Sequence, residues 1–187
     1  MSKKILIMAG GTGGHIFPAL AIAKELKERG AVVEWLGGKN AMESRLVPRH
    51  GYKFHGVSSS GLRGKNLLVI LKAFFLLSYG FFQTIIVFIK YRPNIVIGMG
   101  GYASGIGGLI SKLFFVPLFI HEQNSVPGTT NRLLSRLASK CFQAFEDTFP
   151  ESAGAITTGN PILFNPIPKN EPKSVNNLLV LGGSLGA

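Results

Sequence analysis

Acidic residues are scarce in this chain: 9 Asp and Glu stand against 20 Lys and Arg in 187 residues, a formal net charge of +11. With so few carboxylates, most basic side chains find no partner within the fold, so the binding partners should be anionic. Cysteine is scarcer still. The lone Cys141 excludes an internal disulfide. The chain also lacks the charged, apolar and cleavage regions of a secretory signal at its start, which together with the single thiol reads as cytosolic. No aromatic–basic recognition motif and no Cys/His finger spacing occurs, which argues against nucleic acid and leaves phosphate groups or an anionic membrane surface as the fitting partners. Against these absences, 46% of the residues are hydrophobic, enough to bury a core, and the length suits one domain or one and a piece.

The sequence is organised around Lys4-Ile-Leu-Ile-Met-Ala-Gly-Gly-Thr-Gly-Gly-His15, continuing into Ile16-Phe-Pro-Ala-Leu20. An apolar run followed by glycines and then Pro18, a residue suited to a first helical turn, predicts a strand–glycine loop–helix unit. Such a loop aims backbone N–H groups and the positive end of a helix dipole at one point, where a phosphate or an oxyanion can sit. The commoner phosphate loops do not fit. A dinucleotide fingerprint starting at Gly11 breaks at Ile16, and the second strand, Ala31–Leu36, ends in Gly37-Gly38 rather than an acid. A Walker loop needs Gly-Lys-Ser/Thr, yet Gly38-Lys39 and Gly64-Lys65 are both followed by Asn. His15, at the mouth of the loop, has two open readings: a capping or packing histidine, or a catalytic base.

Further along, the periodicity predicts a helix over Ile16–Arg29 with Ile16, Leu20, Ala23 and Leu26 inward, a short helix over Ala41–Val47 and a strand over Tyr52–Val57. Strands follow at Asn94–Gly98 and Val116–Ile120, a second glycine loop at Met99–Gly105 leads into a helix through Leu113, and another helix covers Thr129–Ala138. Lys140–Phe145 and Ala155–Thr158 read as two last short strands. This alternation implies an α/β fold, a parallel sheet with helices on both faces. Ligands of such sheets bind at the carboxyl ends of the strands, where His121-Glu-Gln-Asn124 arrives. Pro161, Pro166, Pro168 and Pro172 mark a linker, and Asn177–Leu181 with Gly182-Gly-Ser-Leu-Gly186 reads as a third strand–glycine unit without its helix. The expected division is therefore a domain over 1–161 and, over 162–187, a linker with the first strand of a truncated second domain.

Residues 67–89 are almost uninterruptedly apolar, long enough to pose the question of a membrane-spanning helix. At 100° per residue Lys72, Tyr79, Gln83 and Lys90 fall on one narrow polar stripe, leaving an apolar arc wider than a helix on a sheet needs. With Arg63, Lys65, Lys72, Lys90 and Arg92 nearby, three readings stand: an interfacial face docking on anionic membrane, a buried or dimer-forming helix, and a true span.

Gly10-Gly-Thr-Gly-Gly-His-Ile-Phe-Pro-Ala-Leu20, Gly98-Met-Gly-Gly-Tyr102, His121-Glu-Gln-Asn124, Gly159-Asn-Pro161 and Gly182-Gly-Ser184 follow one another in the order found in one family. Over its whole length the chain resembles the peptidoglycan N-acetylglucosaminyltransferases that make lipid II from lipid I. The resemblance implies two Rossmann-like domains of the GT-B type, of which this chain is the N-terminal, acceptor-binding one. It also implies inverting transfer of N-acetylglucosamine from UDP-N-acetylglucosamine to the undecaprenyl-diphosphate-linked muramyl-pentapeptide, with no metal and no other cofactor, at the cytoplasmic face of the cell membrane. By motif, His15 is the implied base, Thr12, Gly13, Gly14, Asn124 and Ser184 touch the donor, and Gly100, Gly101 and Tyr102 hold the acceptor diphosphate. Glu122 is implied to position the site. Two positions depart from the pattern: Leu163 stands where Arg is usual and Leu185 where Gln is usual, each removing a donor for the sugar nucleotide. The competing classes are a membrane-docked acceptor-binding module that works with a partner chain, and a nucleotide-dependent oxidoreductase, the latter weakened by the missing ribose-binding acid.

Overall fold

The computed structural model describes residues 2–58 and 67–163. Seven strands form one all-parallel sheet: β1 (Lys4–Met8), β2 (Val32–Gly38), β3 (Lys53–Val57), β4 (Ile95–Gly98), β5 (Leu118–Glu122), β6 (Lys140–Gln143) and β7 (Ile156–Thr157), in the order β3-β2-β1-β4-β5-β6-β7. Five helices connect them: α1 (Gly13–Glu28), α2 (Met42–Arg49), α3 (Leu67–Tyr91), α4 (Tyr102–Leu113) and α5 (Thr129–Leu134).

Because side chains alternate across a strand, β1 feeds two cores. Ile5, Ile7 and Ala9 point to one face and join Ile16, Leu20 and Ala23 of α1 and Val47 of α2; Leu6 and Met8 point to the other and join Val87 and Phe88 of α3, Ile110 of α4 and Leu134 of α5. Trp35 is fully buried on the first face, its indole N–H donating to the Ala9 carbonyl at 3.0 Å. Leu163, in place of the usual Arg, packs against this same core.

Several expected boundaries move. Helix α1 begins at Gly13, not Ile16, because the Thr12 carbonyl accepts from the amides of His15 and Ile16 at 3.1 and 3.2 Å and winds the glycines into the first turn. Pro18 therefore lies inside α1, in its second turn rather than its first. Helix α2 runs past Val47 to Arg49, with Pro48 in its last turn. Strand β5 begins two residues later than Val116 and runs on through His121 and Glu122, so these two are strand residues. Helix α5 stops at Leu134, and β6 at Gln143.

The polar stripe on α3 does not form one solvent-facing line. Tyr79 and Lys90 are exposed, but Gln83 is half-buried, its carbonyl oxygen accepting from the Ser58 amide at 2.8 Å. The inner face of α3 is fastened to the sheet by Thr84, Val87, Phe88 and Tyr91; the Tyr91 hydroxyl reaches the Val32 carbonyl at 2.7 Å. The outer face is apolar: Phe74, Phe75, Tyr79, Phe82, Ile86 and Ile89 are each at least half exposed. Arg63, Lys65, Ser184, Leu185, the side chain of Lys72 and the expected strand at Asn177–Leu181 lie outside the described part.

Candidate active site between two glycine loops

The strand order reverses direction between β1 and β4, so the loops leaving their carboxyl ends diverge and open a crevice. The loops nevertheless meet at their bases. A Cβ on Gly101 (φ +83°) would stand 2.6 Å from the Gly10 carbonyl oxygen, and one on Gly100 (φ +112°) would stand 2.9 Å from the His15 ring. Only glycine permits both the backbone conformation and this approach. The sequence thus places the His15 imidazole directly against the second glycine loop.

The loops are braced differently from behind. Glu43 of α2, 2% exposed, accepts from the Gly38 amide at 2.8 Å and the Gly11 amide at 3.3 Å. The Gly11 N–H, expected to face a ligand, is therefore turned inward, and the amides of Gly13 and Gly14 at the start of α1 remain for an anion. In the second loop Ser104, fully buried, accepts from the Gly100 amide at 3.2 Å and reaches the Met8 carbonyl at 2.6 Å.

A third segment arrives from β5. Glu122 has no exposed surface, and its carboxylate accepts from five donors: the amides of Gln123, Asn124 and Gly128 and the side-chain amides of Asn124 and Asn131, at 2.8 to 3.1 Å. Such saturation makes Glu122 the node that folds the 122–131 turn and leaves it little capacity to take a proton from a substrate. Asn124, expected at the donor, spends its side-chain amide on that node.

Gln123 carries the most consequential arrangement. Its amide nitrogen faces three acceptors, the His121 carbonyl at 2.9 Å, His121 Nδ1 at 3.1 Å and the Met99 sulfur at 3.8 Å, which fixes the orientation of the amide. His121 Nε2 donates to the Gly159 carbonyl at 3.1 Å, consistent with Nδ1 as acceptor. The Gln123 oxygen then accepts from His15 Nδ1 at 2.7 Å. Directionality runs through the whole chain from Gly159 to His15 and commits His15 Nδ1 as a donor, so that in the neutral ring the lone pair lies on Nε2. Burial pulls the His121 pKa below its usual value, outweighing the opposing effects of the Gly159 carbonyl and the Glu122 charge, so the neutral form that the chain requires is the favoured one.

The cavity onto which His15 opens measures about 220 Å³ and is lined by Gly100, Gly101, Tyr102, Glu122, Thr130 and Asn131 among others. The Asn131 side-chain oxygen is buried without a hydrogen-bond partner among the described residues, an acceptor for a ligand N–H or O–H. A larger hollow, about 580 Å³, lies at the opposite, amino edge of the sheet against Lys3, Lys4 and Arg92. Its described lining includes no histidine or carboxylate, and it sits at the edge that parallel sheets do not use for ligands.

Of the residues singled out in the sequence, His15, Gly100, Gly101, Tyr102 and Glu122 converge on one cavity, with Thr12, Gly13 and Gly14 at the adjoining start of α1. Sequence reasoning missed Gln123, His121, Asn131 and Glu43. The first two lay within the quoted His121–Asn124 run, where period-2 alternation on a strand sends His121 and Gln123 to the same side. Glu43 carried no signal, since a glutamate on a short polar helix reads as solvated.

Residues 5–143 match the glycosyltransferase family 28 N-terminal domain. The whole chain is 58% identical over 186 residues to the UDP-N-acetylglucosamine–N-acetylmuramyl-(pentapeptide) pyrophosphoryl-undecaprenol N-acetylglucosamine transferase of Vesicomyosocius okutanii and covers 54% of it. It is 50% identical over 192 residues to the protein of the same name from Pseudomonas aeruginosa PAO1, again covering 54%. Among solved structures, MurG of Acinetobacter baumannii superposes with a TM-score of 0.76 at 39% identity, over 84% of this chain and 46% of that one. The chain thus spans about half the length of the curated relatives it matches. With a parallel Rossmann-like sheet, paired glycine loops and a family match over most of its length, the chain belongs to glycosyltransferase family 28, as its N-terminal domain.

Proposed function

We propose that this chain is the acceptor-binding half of an inverting N-acetylglucosaminyltransferase. The reaction moves N-acetylglucosamine from UDP-N-acetylglucosamine to the undecaprenyl-diphosphate-linked muramyl-pentapeptide, lipid I to lipid II. The observation that carries the reading is the hydrogen-bond chain that commits His15 Nδ1 as a donor, so that the lone pair of the neutral imidazole falls on Nε2, at the cavity between the glycine loops. The acceptor hydroxyl oxygen attacks the anomeric carbon of the donor, the bond from that carbon to UDP breaks with its electron pair leaving on UDP, and the hydroxyl proton passes to His15 Nε2. Gln123 is a positioning residue that holds the tautomer.

The first-turn amides of α4, with Gly101 as its N-cap, and the Tyr102 side chain face the same cavity and suit the acceptor diphosphate. Thr12, Gly13, Gly14 and Asn124 take the near side of the donor, and Ser184 of a second domain, beginning after residue 161, contributes from across the cleft. The outer face of α3 rests on the anionic cytoplasmic membrane surface, since its inner face is bonded into the sheet and a spanning helix would have to abandon those contacts.

The test is transfer of labelled N-acetylglucosamine to a lipid-linked acceptor, by the 187-residue chain alone and by a two-domain form. Donor binding draws on both domains, so transfer is expected only from the two-domain form. Comparable turnover by the 187-residue chain would overturn the division of labour, and no transfer by either would overturn the activity.

A further inference from the structure

Next to the polar cavity lies a second hollow of different chemistry, about 250 Å³, between α3, α4 and α5. Its walls are Leu77 of α3, Ile106 and Leu109 of α4 and Leu133 of α5, and it shares Tyr102 and Thr130 with the polar cavity. The two hollows therefore adjoin at Tyr102 and Thr130, and the lining passes from the glycine loops and the start of α4 to aliphatic side chains within one helical turn. Leu109 and Leu133 are more than half exposed at its rim.

We propose that this groove is the subsite for the first isoprene units of the acceptor, those directly bonded to its diphosphate. The proposal rests on the acceptor-half reading above. The two substrates differ in the relevant way: a sugar nucleotide carries no apolar tail, whereas a polyprenyl diphosphate joins a polar head to a hydrocarbon chain at one bond. A ligand with its diphosphate at the start of α4 has that bond at Tyr102, where the cavity lining changes from polar to aliphatic. The groove is separate from the outer face of α3, which is a convex surface carrying Phe82 and Ile86 and suits a bilayer rather than a single chain. The tail thereby contributes to recognition of the acceptor inside the protein, before it reaches the lipid phase.

The experiment measures binding of geranylgeranyl diphosphate, kept below its aggregation concentration, and of inorganic diphosphate to the 187-residue chain by calorimetry. The prenyl probe should bind about tenfold tighter or more, since burial of a few methylene groups already supplies that factor. Leu109→Gln with Leu133→Gln should bring the prenyl probe to within about threefold of inorganic diphosphate while leaving inorganic diphosphate unchanged, which also reports that the variant is folded. Phe82→Ser with Ile86→Ser on the outer face should leave the preference intact. Equal binding of both probes by the unaltered chain would overturn the groove alone. A preference that survives the groove variant, or that follows the outer-face variant instead, would place the tail on α3 and overturn it too. Failure to bind either probe would sink the acceptor-half reading along with the groove.

Discussion

The β1–α1 and β4–α4 units are built alike, an apolar strand, a glycine loop and a helix, and yet they differ at both ends. At the site, the first loop is clamped by a buried carboxylate, Glu43, and carries His15 in the first turn of its helix; the second is clamped by a buried hydroxyl, Ser104, and opens its helix with Tyr102. On the outside, α1 shows Lys24, Glu25, Lys27 and Glu28 to solvent, whereas α4 shows Leu109 and Leu113. Packing against the sheet demands the same of both helices, so the difference on their outer sides comes from something beyond folding. On the function proposed above, one unit supplies chemistry and a wetted surface, the other grip on an apolar ligand and an apolar surface.

The comparison is broken most sharply at His15. In a two-domain form His15→Ala should lower kcat by about 10²–10⁴ with little change in melting temperature. A normal kcat with a lowered melting temperature would make His15 a packing residue and the two loops functionally equivalent. The next largest effect concerns the outer faces. Phe74→Ser, Phe75→Ser and Phe82→Ser together should weaken binding to anionic vesicles by about 10³, at roughly 1.5 kcal/mol per side chain. Lys24→Gln with Glu28→Gln on α1 should leave that binding unchanged in co-sedimentation, and high salt should weaken its electrostatic part.

Smaller effects test the clamps. Glu43→Ala strands the buried Gly38 amide and the partly buried Gly11 amide and should cost about 2–3 kcal/mol in denaturant titration, whereas Ser104→Ala, which removes neutral hydrogen bonds, should cost about 1 kcal/mol. Equal losses would erase the distinction between the loops. The smallest is a pH effect. His121 is held below its usual pKa, so its share of stability is complete above the ordinary value of about 6.5, falls as pH drops through it, and levels off below the lowered folded value. Subtracting the profile of His121→Gln from that of the unaltered chain should isolate this slope, and a flat difference would contradict it.

Most of the fold was legible because the signals were redundant. Strands β1, β2, β4 and β5 announce themselves as short, largely apolar runs, and the glycines between strand and helix punctuate the units. Legibility failed where tertiary contacts set a boundary: Thr12 winding Gly13 and Gly14 into α1, and pairing with β6 extending β5 through Glu122. At the site, His15 and the glycines were visible as motifs, but the Gly159–His121–Gln123–His15 chain joins residues 108 and 38 positions apart, a relation that no local spacing expresses. Likewise, an apolar arc on α3 could be counted from the sequence, whereas the inward turn of Gln83 toward Ser58 depends on where the preceding strand ends.

The placement of β4 beside β1 also governs the order in which the molecule can assemble. Strand β1 pairs with β2 through Lys4–Val32 to Met8–Leu36, but its other edge waits for Ile95–Gly98. During synthesis at about 5–20 residues per second, that edge stays unpaired for roughly 4–18 s after Met8 is made, while the aromatic segment of α3 emerges before the strand that covers that edge. A nascent chain of this kind presents an open strand edge and an exposed aromatic helix at the same moment, the combination that favours chaperone capture or aggregation. Because the crevice forms at the β1–β4 junction, His15 has no second loop to lean on until that late pairing closes, and folding of the site should be slow in proportion to this long-range contact.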